Sequence, residues 1–172
     1  MQKSFMRLTE LFLHQLQTEA ENSRKALARV PDGRNDWRPH PKSMPLGNLA
    51  TLVATMPGWI ATMIEQDTLD FAPPGGQPPR PPVADSQPQR LAQLEESTAR
   101  ARAALEKSSD EFLNTPWRLL AGGRLIVEQP RSIFIRDVFT HLAHHRGQLT
   151  VYLRLNEAAV PALYGPSADE RF

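Results

Sequence analysis

The chain has 172 residues, enough for one domain around one hydrophobic core. Its 40% hydrophobic and 23% charged residues are ordinary for a globular chain, and a net charge of +1 from 20 basic and 19 acidic side chains excludes a broad nucleic-acid footprint. With no cysteine, disulfides, thiolate nucleophiles and cysteine-held zinc are excluded, so distinctive chemistry has to come from the five histidines, three of them in His141-Leu-Ala-His144-His145.

The N-terminus has no long apolar run, because His14, Gln15 and Gln17 interrupt the nearest candidate, so a signal peptide is not expected. No stretch approaches the roughly 18 to 20 apolar residues of a membrane span. A cytoplasmic protein without membrane association is the expectation.

Residues 4–30 read as a first helix, with Phe5, Leu8, Phe12, Leu16, Leu27 and Val30 on one narrow arc and His14 opposite it, facing water. Pro31-Asp-Gly33 stops it. Residues 35–43, with Trp37, Pro39, His40 and Pro41, read as an ordered loop. A second helix is expected from Ser43 as N-cap, with Pro45 in its first turn. Leu46, Leu49, Leu52, Val53, Met56, Ile60, Met63 and Ile64 form its stripe, with Trp59 at the edge. Pro57-Gly58 predicts a kink inside it, since proline removes an amide donor and crowds the carbonyl four residues back.

Residues 71–88 hold seven of the sixteen prolines and read as an extended crossover within one domain, spanning residues 1–172. The composition also suits a ligand of a signalling domain; a spacer is the simpler reading. A third helix covers residues 89–107, with the weaker stripe Leu91, Leu94, Thr98, Ala101 and Leu105. Ser109-Asp110 caps a short turn carrying Phe112 and Leu113, and residues 116–128 read as a hairpin turning at Gly122-Gly123. A fourth helix follows Pro130-Arg-Ser132 and runs to about Asn156, with Ile135, Val138, Leu142, Leu149, Tyr152 and Leu153 on its arc; the tail from Val160 is irregular. The fold class expected is all-α: a four-helix bundle with a long Pro-rich crossover between helices 2 and 3 and a small β-hairpin before helix 4.

In the last helix His145 falls on the apolar arc, His141 at its edge, and His144 further round. The inward pair is therefore His141 and His145, at the i, i+4 spacing by which helices present two imidazoles to a zinc-like ion. Two histidines also serve as packed, hydrogen-bonded polar residues with no metal. Arg146 projects near the other edge of the arc, where a buried charge is costly, so it should pair with a carboxylate or reach across an interface; an arginine that snorkels to water is the plainer alternative. Gly147 costs roughly 1 kcal/mol in a helix interior relative to alanine, which a close backbone approach, within the chain or between two subunits, would offset; a neutral surface glycine is the plainer alternative.

The segments His141-Leu-Ala-His-His-Arg-Gly-Gln-Leu149, Tyr152-Leu-Arg154, Tyr164-Gly-Pro-Ser-Ala-Asp-Glu170 and Trp37-Arg-Pro-His-Pro-Lys-Ser-Met-Pro-Leu-Gly-Asn-Leu-Ala50, leading to Met56-Pro-Gly-Trp59, resemble the DinB-like family of bacterial four-helix bundles. The resemblance spans nearly the whole chain, with the Pro-rich stretch as a variable insertion. It implies a divalent metal, nickel, zinc or iron, held by three histidines. Two of them correspond to His141 and His145. The third comes from the second helix, in a pattern that reads here Leu49-Ala-Thr-Leu-Val-Ala54, so the ligand position holds Leu52, which cannot bind a metal. Thr51 and Thr55 are poor substitutes, and His40 belongs to the family's loop pattern.

Two functional readings follow. In the first, the chain is a metal-dependent transferase or hydrolase using a low-molecular-weight thiol or metal-bound water, with His144, Gln148 or Tyr152 shaping the pocket. In the second, favoured here, the bundle, its pocket and a homodimer face persist without the metal, Leu52 packs against neutral His141 and His145, and the protein binds a small ligand without catalysis. Nucleic-acid binding ranks low, because Arg80, Arg90, Arg100 and Arg102 are scattered along a solvated face without aromatic interleaving.

Overall fold

In the computed structural model, which describes residues 6–76 and 81–171, α1 (Leu8–Leu27) turns Phe12, Leu16, Ala20, Ala26 and Leu27 into the interior. Each buried leucine contributes roughly 1.5–3 kcal/mol by leaving water. The predicted arc is confirmed from Leu8 on; its first member, Phe5, lies outside the described residues. His14 is exposed, as expected. The first amides of a helix have no intrahelical acceptor. Here the carboxylate of Asp110, from a distant segment, accepts from Leu8 N at 2.8 Å and Thr9 N at 3.1 Å.

The second predicted helix is two helices, α2 (Leu46–Thr55) and α3 (Gly58–Glu65). Proline has no amide to donate, so the ladder is interrupted at Pro57 and resumes with Trp59 N donating to Met56 O. The expected kink is thus a division. The N-cap is Pro45 and not Ser43. Loop carbonyls do the capping: Leu46 N donates to Trp37 O at 2.8 Å and Gly47 N to Asn35 O at 3.0 Å. Gly47 permits this close approach, since a Cβ there would stand 2.7 Å from Asn35 Cγ. His40 secures the loop, accepting from Lys42 N at its ring Nδ1 (3.1 Å) and from Ser43 N at its carbonyl (2.8 Å).

The Pro-rich stretch is described for residues 71–76 and 81–88; the rest of it, with Arg80, lies outside the described residues. The third long helix, α4 (Gln87–Glu106), starts two residues earlier than expected. Its N-terminal arginine corrects the solvated-face reading: Arg90 is fully buried, pairs with Asp32 and donates to Val30 O at 2.9 Å. The short helix α5 (Asp110–Leu113) is capped by Ser109 Oγ, which accepts from Phe112 N.

The predicted hairpin is β2 (Pro116–Ala121) and β3 (Arg124–Pro130), antiparallel, with Gly122 and Gly123 both at positive φ as its tight turn requires. The sheet is larger than expected, because β1 (Thr68–Asp70) adds a third strand parallel to β2, in the order β1-β2-β3. Asp70 joins the strand to the turn, accepting from Gly122 N at 3.0 Å and Gly123 N at 2.7 Å. Ile126 has no partner on β2, and this bulge bends the outer strand.

The last helix, α6 (Arg131–Leu155), buries all six residues predicted for its arc. Both α4 and α6 pack on α1, α2 and α3. The chain is therefore mostly helical, with a small three-stranded sheet at the end where α6 begins. Among the described residues, no helix is long and apolar enough to cross a membrane.

Candidate functional site

The histidines lie about three to four turns beyond the start of α6, about 15–21 Å from Arg131 at 1.5 Å per residue. At that level α6 contacts α2 and α3. Leu52 of α2 is half-buried and packs against the cluster that contains Leu142, Leu149 and Tyr152. Trp59 of α3 sets its indole 5.7 Å from the His141 ring.

His141 and His145 come together as their spacing predicts, with Nε2 to Nε2 at 2.9 Å. The inward orientation needs correcting. His141 and His144 are exposed and His145 is half-buried, so the pair sits at the rim of the helix packing and not within the core. The arc read from the sequence is wider than the strip of α6 that its neighbours cover.

A hydrogen-bonded chain links these groups. His145 Nδ1 is 2.8 Å from Gln148 Oε1, and with the amide oxygen assigned toward the ring Nδ1–H is the donor. In neutral His145 the Nε2 atom is then an acceptor, and His141 Nε2–H donates to it. Burial, then the neighbouring His145 and His144 imidazoles, hold the His141 pKa below its ordinary value, which favours this neutral arrangement.

The donor set does not fit an ion held by three protein ligands. Two imidazoles converge, and Leu52, on the neighbouring helix α2, offers only methyl groups. Among the described residues no three His, Asp or Glu side chains gather as a metal cluster. The lone pair that His145 would offer is engaged by His141.

The other expected pocket residues divide. Gln148 belongs to the site through His145, and His144 stacks edge-on to His145 with ring centres 5.1 Å apart. Tyr152 is engaged by the loop before α2: its hydroxyl donates to Met44 O at 3.2 Å and its ring packs against Trp37 at 5.4 Å. It clamps the loop before α2 onto α6.

Arg146 meets the carboxylate expected for it, and inside its own chain. It is fully buried, ion-paired with Glu19 of α1, and donates to Glu19 O and Ser23 Oγ at 3.0 Å each. It also bonds Tyr164 of the tail, whose hydroxyl donates to Glu19 Oε2 at 2.7 Å. Burial, then the bond to Glu19, push the Tyr164 pKa up to about 12. The interface alternative for Arg146 is thereby set aside. Gly147 makes no close packing within the chain, since a Cβ there meets nothing within 4 Å.

A third buried cation, Arg131, is not marked by the helical pattern. It donates to Met63 O at 2.9 Å and Pro116 O at 2.7 Å, pairs with Asp67, and lies under the Phe112 ring. Its position as first residue of α6, next to the strand end, was the available signal. Glu19 was also detectable, as an acid on the apolar arc three residues after Leu16.

A family model described as "DinB family" matches residues 1–171. Among solved structures, the chain is similar to a DinB-like protein from Bacillus cereus ATCC 10987, at 25% identity and a TM-score of 0.67, covering 89% of this chain and 95% of that one. It also shares the fold of a DinB-like protein, YjoA, from Bacillus subtilis, at 16% identity and a TM-score of 0.67, covering 94% and 99%. A protein described as a member of the DinB family from Exiguobacterium sibiricum 255-15 matches at 17% identity and a TM-score of 0.60, covering 90% and 95%. No curated protein matches the chain.

Proposed function

The chain belongs to the DinB family, and we propose that within it this protein is a four-helix bundle with a Pro-rich crossover that binds a small ligand without catalysis, as a cytoplasmic homodimer. In that architecture α2 and α3 are one broken limb of the bundle. The observation that carries the reading is the closed chain Gln148–His145–His141, with a leucine at position 52 of α2. The imidazoles satisfy one another and an amide, at 2.9 and 2.8 Å, where a metal-dependent relative would direct lone pairs at an ion. This leaves the Nδ1 lone pair of His141 without a partner among the described residues, next to the Trp59 indole. A ligand with an apolar ring and one N–H or O–H donor suits those two groups.

The dimer reading rests on α6. Gly147, Val151 and Leu155 repeat at i, i+4, i+8, and Val151 and Leu155 are more than half exposed. The empty space around Gly147 lets a second helix approach closely.

The alternative is a divalent-metal-dependent transferase or hydrolase using a low-molecular-weight thiol or metal-bound water. The convergence of the two Nε2 atoms favours it, as does Gln148 on the far nitrogen of His145, where orienting groups sit beside metal-bound imidazoles. It lacks the third donor. Long-range 1H–15N NMR of the imidazoles decides between them. The proposal predicts a neutral Nδ1–H tautomer for His145 and a neutral Nε2–H tautomer for His141 in protein supplied with zinc or nickel. Metal-shifted or paramagnetically broadened Nε2 signals at both residues overturn it.

A further inference from the structure

A groove of about 620 Å³ lies at the sheet end of the molecule, away from the histidines, between the last turn of α3, the last turns of α4 and the short helix α5. Its volume is that of a small-molecule site. The cause is local. Arg100, Ala103, Ala104 and Lys107 fall at i, i+3, i+4 and i+7, so one face of α4 carries two methyl groups between two long cations. The alanines leave a trough about two helical turns, or roughly 10 Å, long. Ile64 and Phe112 form apolar walls, and Phe112 is held from beneath by the Arg131 guanidinium, 4.5 Å from its ring centre.

The charges are unequal. Arg100 is matched by Glu65 at 2.5 Å, so that end is neutral. Lys107 is exposed and forms no ion pair with any described residue. The groove therefore has an apolar length, a neutral end, and an end with one spare positive charge. We propose that it binds a monoanionic amphipathic molecule of the fatty-carboxylate class, with the carboxylate at Lys107 and the chain laid over Ala103 and Ala104 against Phe112.

Sodium octanoate titrated into the 15N-labelled protein tests this. Shifts saturating at the amides of Ala103, Ala104, Ser108 and Phe112 are expected, with affinity falling at least about tenfold in Lys107→Glu. Octylamine, of equal chain length and opposite charge, should not saturate these amides. Lys107 and Ala103 are exposed, so Lys107→Glu and Ala103→Trp are expected to fold, and unchanged melting curves check this. Ala103→Trp should abolish the shifts by filling the trough. No saturating shifts, equal binding of octylamine, or unchanged affinity in either folded variant would overturn the proposal.

Discussion

Arg146 and Glu19, 127 residues apart in the chain, form an ion pair inside the molecule, with both side chains almost completely removed from solvent. Removing water from two charges is costly, and the hydrogen bonds to Ser23, the Glu19 carbonyl and Tyr164 compensate only while all partners remain. Arg146→Met leaves the buried Glu19 carboxylate without its cation and is expected to destabilise the fold by about 3–5 kcal/mol. The double variant Arg146→Met with Glu19→Leu should recover part of that loss. Urea unfolding of the single and double variants measures this; single variants within about 0.5 kcal/mol of wild type would remove the pair from the account.

Tyr164 gives this cluster a pH signature. Its folded pKa, about 12, stands above the ordinary value of 10. The neutral hydroxyl is thus favoured by folding, and its contribution is complete below pH 10 and is lost as pH rises through about 12. Wild type should lose more stability than Tyr164→Phe across that window. Parallel pH profiles of melting temperature would contradict it.

Asp110 predicts the opposite limb. Its bonds to the amides of Thr9 and Leu8 are stronger than the opposing effect of burial and hold its carboxyl below the ordinary 3.8. A lowered carboxyl pKa gives stability that is present above the unfolded value and lost as pH falls through the folded one. Asp110→Ala should therefore melt at lower temperature than wild type near neutrality, and the gap should close as pH falls through the lowered folded value. Asp110→Asn, which keeps an acceptor without the charge, should fall between them. A gap that persists unchanged in acid would refute the capping role.

The proposed dimer makes a prediction on the exposed side of α6. Sedimentation at micromolar concentration should give about twice the 19.3 kDa chain mass, and Gly147→Arg should give the monomer with its helical circular dichroism intact. A wild-type monomer would contradict the dimer.

The long helices were legible because each buries a stripe at helical spacing, and Ile135, Val138, Leu142 and Leu149 alone mark the inner face of α6. Strand β1 was not, since three residues carry no period, and its place depends on β2 and on Asp70 reaching the glycine turn. Ser43 looked like an N-cap, but the carbonyls of Trp37 and Asn35 fill that role, and nothing local announces a loop folding back. The His141–His145 contact followed from spacing alone; its exposure did not, because it depends on how far α2 and α3 extend over α6. Arg146 announced a partner but not which one, until α1 brought Glu19 against it.

We propose that Leu52 and the closed hydrogen-bonded chain of His141, His145 and Gln148 leave this member of the family without a protein-held metal. Metal content after equilibration with zinc and nickel and extensive dialysis, measured on wild type and Leu52→His, distinguishes the outcomes. Substoichiometric metal is expected in wild type and about one ion per chain in Leu52→His, since three imidazoles suffice for a zinc site. One tightly held ion in the wild-type chain, lost in His145→Ala, would contradict it.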